Sequence, residues 1–336
     1  MKRREFSRSL ALAAAMASVP GVRLGASAIR RAPRVNGERL NGWLTAIGEF
    51  GRNPQGGVTR LAYGEADAAA RKYAMQLMRE AGLNVAVDAA GNIYGKRAGT
   101  DSRATPIIFG SHVDSVPEGG NYDGNVGTLA AIEVARTLVE QRITTTHPLW
   151  VACWQNEEGG TWGSHLVTAD STTAALATVA RSGKSIGDGI RFIGGDPATL
   201  STARLRTGDV HGYLELHIEQ GGNLDRQKLD IGIVEGIVGL REWDVTIEGF
   251  ANHAGTTPMH ERRDAMLAAA RFTEMVHRIV TSEPGRQVGT VGRIQAFPGA
   301  PNVVPGKVLC TLELRDLDDR KIQRLYDTIV GESHTI

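Results

Sequence analysis

A chain of 336 residues is too long for one ordinary hydrophobic core, which predicts two domains. Its 41% hydrophobic content and formal net charge of +1 describe a globular, water-facing protein without a polyanion-binding surface. Nucleic acid is not an expected partner.

The first 28 residues depart from that composition. Lys2, Arg3 and Arg4 stand ahead of Phe6, a mild apolar stretch runs from Leu10 to Val19, and small residues fill positions 25–28. A charged start, a short apolar middle and a small-residue end predict an export signal. The arginine pair resembles a twin-arginine signal, so the expected location is the bacterial periplasm. The apolar part is too short to span a membrane, and no membrane partner is expected once the signal is removed. Cys153 and Cys310 lie in strand-like apolar runs in different halves of the chain, which predicts two buried thiols and no disulfide.

The remaining chain is expected to divide into a catalytic domain over 36–230 and a second domain over 231–336. Residues 36–50 and 64–82 read as helices, and the stretch from Asn84 to Lys96, turning at Gly91, reads as a hairpin. The apolar run Pro106 to Phe109 reads as a buried strand and Thr128 to Val139 as a helix. Between them lies GSHVDSVPEGGNYDG, residues 110–124, with His112 and Asp123 on a glycine-rich loop that can fold both onto one ion. Asp114, two residues after His112, is a candidate partner for that ring. An apolar strand from His147 to Trp154 then runs into Glu157 and Glu158. Residues 165–210 read as helical and loop-rich, and a short strand from Tyr213 to Leu216 delivers His217. Three strand ends thus carry metal-binding or acid/base residues at one edge of a presumed sheet, the place where open α/β sheets hold ligands.

Beyond Gly221 the expected elements are strands at Ile231–Val234 and Trp243–Glu248, a helix from Asp264 to Ile279, strands at Val288–Phe297 and Lys307–Arg315, and a helix from Asp318 to Val330. That order is most of a ferredoxin-like unit without its closing strand.

Two histidines with two or three carboxylates suit zinc, manganese or cobalt. Adjacent acids on an extended backbone point to opposite sides, so one of Glu157 and Glu158 can bind metal while the other handles the protons of an attacking water. This is chemistry for hydrolysing an unactivated amide.

Five spaced motifs sharpen that reading: GSHVDSVPEGGNYDG, NEEG, LELHIEQGG, HAGTTPM with Arg262 and Asp264, and PGAPNVVPG followed by LELRDLD. From about residue 37 onward the chain resembles the dinuclear-metal amidohydrolases that include N-carbamoyl-L-amino acid hydrolases, β-ureidopropionases and allantoate amidohydrolases. These are relatives of the aminoacylase and carboxypeptidase metallopeptidases. The resemblance implies an α/β catalytic domain, its mixed sheet flanked by helices, with an inserted ferredoxin-like lid that forms a homodimer. It implies two divalent ions per subunit, zinc or else manganese, cobalt or nickel. His112 and His217 would bind one ion, Asp123 would bridge, Glu158 would bind the other, and Glu157 would be the general acid/base. Gln220, Asn302 and Arg315 would contact a small ureido or amide substrate, Arg315 through its carboxylate. His253 would stabilise the oxyanion from the partner's lid.

Two departures accompany the resemblance. Thr161 and the run Thr168 to Asp170 stand roughly where the family has arginines. The family also continues past the lid to a last histidine ligand of the second metal, so the expectation here is an incomplete second site and impaired hydrolysis. The alternatives are an inactive remnant or binding protein of this fold and a dipeptidase or aminoacylase-like metallopeptidase.

Overall fold

The computed structural model describes residues 32–169 and 173–336. The expected export signal at residues 1–28 and the departure at Asp170 lie outside the described residues. The chain forms two compact units that divide between Gly222 and Asn223. Among the described residues no helix is long and apolar enough to cross a membrane.

In the first unit β1 (Asn84–Val87), β2 (Ile93–Arg97), β3 (Ile107–His112), β4 (Leu149–Trp154) and β5 (Gly212–Leu214) form one sheet in the order β1-β2-β4-β3-β5. β1 and β2 pair as the expected hairpin, β2 runs antiparallel to β4, and β3 lies parallel between β4 and β5. Because side chains alternate along a strand, β4 sends Val151 and Cys153 into one core and Ala152 and Trp154 into the other. The first core is closed by the helices Gly37–Ile47, Glu65–Glu80 and Asn125–Glu140, the second by Trp162–Thr168 and Ile186–Phe192. A mixed sheet buried on both faces is the expected α/β class, and it leaves the strand ends as the place for polar chemistry.

Two buried charges hold this unit together. Glu133, fully buried on the Asn125–Glu140 helix, accepts from Arg39 Nε at 2.7 Å, from the Asn36 amide at 2.8 Å and from Thr137 Oγ1 at 3.0 Å, which fastens the first helix to the third. Arg60 is also fully buried. Its guanidinium donates to the carbonyls of Ile47 (2.9 Å), Phe50 (2.8 Å) and Val113 and to Asn125 Oδ1 (3.0 Å). Its backbone exchanges hydrogen bonds with Ser115. One side chain therefore ties the loop that leaves β3 to the helix that follows it.

The second unit contains β6 (Gly239–Glu248), β7 (Asn252–His253), the helix Ala265–Ser282, β8 (Val288–Thr290), β9 (Ile294–Phe297), β10 (Val303–Val304), β11 (Lys307–Asp316) and the helix Asp319–Ser333. β11 is central, antiparallel to β6 along ten residues and to β8 and β9 on its other side. The two helices cover one face through Phe272, Met275, Ile279, Ile322 and Leu325. The single strand expected over Val288–Phe297 is broken in two, because Thr311 Oγ1 takes the Arg293 amide where the ladder would otherwise continue. The strand expected at Ile231–Val234 does not form. Its apolar residues are exposed, Ile233 at 90%, since alternation alone makes no strand where no described segment supplies a hydrogen-bonding neighbour.

Replacing Arg60 by leucine strips partners from several buried acceptors at once. Arg60→Leu is expected to lower unfolding stability by about 3 kcal/mol. Urea titration followed by circular dichroism checks this, and an unchanged midpoint would remove Arg60 from its place as a clamp.

Candidate metal centre

β3 ends on His112, so the imidazole is held by the sheet rather than by the loop that follows. The ring is 1% exposed, and its Nδ1 donates to the backbone carbonyl of Asp114 at 3.0 Å. That bond sets the tautomer and leaves the Nε2 lone pair free. His217, beyond β5, is arranged the same way: Nδ1 donates to the Ile218 carbonyl at 2.9 Å and Nε2 is free. Both free nitrogens face Asp123 Oδ1, at 3.8 Å from His112 and 3.0 Å from His217. This oxygen is buried without a hydrogen-bond partner. The other Asp123 oxygen accepts from Gln220 Nε2 at 2.7 Å.

A cation satisfies all three groups. Two imidazole lone pairs and a carboxylate oxygen, every pair within 4.8 Å, form among the described residues a set suited to a divalent metal. Gly124 makes the set possible. Its φ of 63° belongs to the left-handed region, and a Cβ there would lie 2.5 Å from the His112 ring.

Asp114 partners the His112 ring through its backbone carbonyl, its nearest carboxylate oxygen lying 3.6 Å from Nδ1. The carboxylate instead accepts the backbone N–H groups of Glu157 (3.2 Å) and Glu158 (3.1 Å). The two glutamates sit on a turn after β4, not on extended backbone, because Asn156 adopts φ 45° and Asp114 gathers both amides. Glu157 Oε2 lies 3.6 Å from His112 Nε2, and partial burial raises the Glu157 carboxyl above the ordinary range. Burial raises the Glu158 carboxyl as well. Glu158 stands outside the three-ligand set and borders a small recess with Asp114, Ser115 and Asn156.

Gln220, expected to touch substrate, touches Asp123 here and adopts φ 55°. Glu215 was not anticipated. It accepts from Ser111 Oγ at 2.5 Å and from Tyr213 Oη at 2.7 Å, and Tyr213 Oη in turn accepts from Trp154 Nε1 at 2.8 Å. The alternation of Tyr213, Glu215 and His217 was the available signal, one face of an extended segment carrying three polar groups.

The second unit places His253 and Asn302 side by side. β7 pairs with β10 so that His253 faces Val303, and the Ala254 amide donates to the Asn302 carbonyl at 2.9 Å. His253 Nδ1 accepts from the Gly255 amide at 3.1 Å, so its neutral ring carries hydrogen on Nε2. It is a donor where His112 and His217 are acceptors. Arg262 braces this loop through the carbonyls of Ala254 (2.6 Å) and Thr257 (3.1 Å). Arg315 lies elsewhere, on β11 eight residues beyond Lys307, with Nε on Glu313 at 2.7 Å.

Gly124→Ala is expected to lower divalent-metal affinity about 10- to 100-fold, the usual effect of displacing what surrounds a ligand. Competition with a chromogenic chelator measures it, and unaltered affinity would show that the His112 ring tolerates the intrusion.

A profile of peptidase family M20/M25/M40 matches residues 108–306. The chain is 41% identical to an N-carbamoyl-L-amino acid amidohydrolase of Geobacillus stearothermophilus, over 90% of this chain and 75% of that one. It is 35% identical to the allantoate amidohydrolase of Escherichia coli, over 82% of this chain and 67% of the relative. A hydantoinase/carbamoylase family amidase from Burkholderia ambifaria has the same fold, with a TM-score of 0.82 at 36% identity over 90% of this chain and 75% of that one. The centre built on His112, Asp123 and His217 therefore sits in a chain that belongs to the M20/M25/M40 family, among its carbamoylase-type amidohydrolases.

Proposed function

We propose that this protein hydrolyses a carbon–nitrogen bond of the ureido group in N-carbamoyl amino acids or close analogues, using a divalent metal. The observation that carries the reading is the convergence of two oriented imidazoles on an orphaned carboxylate oxygen, with Glu157 beside them. His112, Asp123 and His217 would hold the ion, which when bound polarises the ureido carbonyl and makes water a stronger acid. Glu158 is proposed for a second ion.

The chain's own residues divide the remaining tasks. Glu157 accepts the proton of the attacking water as the new C–O bond forms, and returns it to the departing nitrogen as the C–N bond breaks. Its raised carboxyl suits a group that must hold a proton between those steps. Gln220 neutralises the second oxygen of Asp123 and keeps the first aimed at the histidines. Nε2–H of His253 is a preformed donor for an oxygen that gains negative charge.

A homodimer is part of the proposal, and the second unit supplies its support. Eight residues of strand carry Arg315 roughly 27 Å from the Lys307 end of β11. The β10–β7 pair adjoins that Lys307 end, since the Gly249 amide bonds the Gly306 carbonyl there. Arg315 and the His253–Asn302 pair of one chain are thus too far apart to grip the same small molecule. Two chains, each lending one end of this unit, would meet the need. Export to the periplasm remains part of the proposal through the arginine pair at Arg3 and Arg4.

Glu157→Gln is expected to lose on the order of 100-fold or more in turnover of an N-carbamoyl amino acid while metal content stays the same. Near-normal turnover would take Glu157 out of the reaction. Mixing Glu157→Gln with His253→Ala protein is expected to recover activity through hybrid dimers. If hybrids form, by differently tagged subunits co-purifying, and no activity returns, His253 does not act across subunits.

A further inference from the structure

Where β3 begins, at the end of the sheet away from His112, two histidines outside the candidate centre stand ring against ring. His147 leads into β4 and His211 into β5, the strands that flank β3. Their ring centroids are 4.0 Å apart at an interplanar angle of 32°. Consecutive residues ahead of β3 hold both in place: the His147 ring donates Nδ1–H to the Thr105 carbonyl at 2.7 Å, and the His211 amide donates to the Pro106 carbonyl at 2.8 Å. Six steps of nearly extended chain from Pro106 to His112 cover roughly 20 Å, so this pair cannot share an ion with His112 and His217.

The bond to Thr105 sets the His147 tautomer, as carbonyl bonds set those of His112 and His217, and leaves its Nε2 lone pair open. Among the described residues nothing hydrogen-bonds the His211 ring, so it too has a lone pair to offer. His211 is exposed and His147 half-buried, which gives an ion a way in from solvent. A zinc ion about 2.1 Å from one nitrogen of each ring would set the ring centres roughly 5 Å apart, a small opening that rotation of the unbonded His211 ring supplies.

We propose that His147 and His211 form a metal site separate from the candidate centre, taking zinc or a similar borderline divalent ion with water completing its coordination. The ion would tie the starts of β4 and β5 together across β3. That tie bears on the centre, because β5 is an edge strand of three residues and His217 follows it. Glu215 already fastens the far end of this segment to Ser111 of β3. Two protein ligands hold an ion less firmly than three, so this site fills after the centre does.

Equilibrium dialysis of the full chain against zinc tests the assignment in a background carrying His112→Ala and His217→Ala, which dismantles the candidate centre. The background chain is expected to bind one zinc, and saturating zinc should raise its melting temperature by about 2 °C or more. Adding His211→Phe keeps a ring for the stack but removes the lone pair, so the ion and the rise in melting temperature should both disappear. His147→Phe gives the same reading should the first variant fail to fold. If the background itself does not fold, either phenylalanine substitution in the otherwise unaltered chain should lower the zinc count by one. No zinc on the background chain, or a zinc count that either phenylalanine variant leaves unchanged, would overturn the proposal and reduce the pair to a stacking contact.

Discussion

The buried carboxylate of Asp114 is the constraint on which the site depends. Burial pushes its carboxyl upward, while the backbone amides of Glu157 and Glu158 favour its charge. A charge 2% exposed persists only where such partners are ready, and these partners are on the turn after β4 that carries the chemistry. The carbonyl of the same residue holds His112 Nδ1. One residue thereby couples the tautomer of His112, a candidate metal ligand after β3, to the position of Glu157, the proposed acid/base, after β4. β3 and β4 are parallel neighbours in register, His112 opposite Trp154, so the distance Asp114 must span is set by the sheet itself.

Three histidines of the chain are sorted by what their Nδ1 atoms meet. Carbonyl oxygens hold the hydrogens of His112 and His217 on Nδ1 and leave lone pairs on Nε2, whereas the Gly255 amide pushes the hydrogen of His253 onto Nε2. Ligands need the first state and an oxyanion donor needs the second. Each is imposed by backbone atoms within two residues, so the assignment is local and cannot be changed by the distant part of either unit.

Much of this was legible in the sequence, for reasons that residues make plain. His112, Asp123 and His217 announced themselves because few residue types bind metal, because His112 and His217 stand past strand-like runs, and because Asp123 shares the glycine-rich loop with His112. The mixed sheet and the second unit's helices followed from periodicity. Arg60, Glu133 and Glu215 did not, because the hydrogen-bond partners of a buried charge come from far along the chain, 97 positions in the case of Glu133 and the Asn36 amide, and leave no local pattern. The apparent strand at Ile231–Val234 failed for the complementary reason. Apolar alternation reports a face to bury, while a strand also requires an edge to pair with, and only the tertiary structure says whether one is there.

The division of polar and apolar surface around Glu157 completes the chemical logic. On one side the carboxylate meets an imidazole and an unsatisfied oxygen, a place for charge. On the other it borders a cavity walled by Trp154 and Tyr213, whose polar atoms are paired with each other and with Glu215, and by Ser164, Thr168, Arg206 and Thr207. Glu215 sits at the seam, since it quiets Tyr213 on the apolar side and binds Ser111 of β3 next to His112 on the other. Losing its charge would leave the Tyr213 hydroxyl to the Gly110 carbonyl alone and slacken β5 against β3, so both strands are held by the same carboxylate.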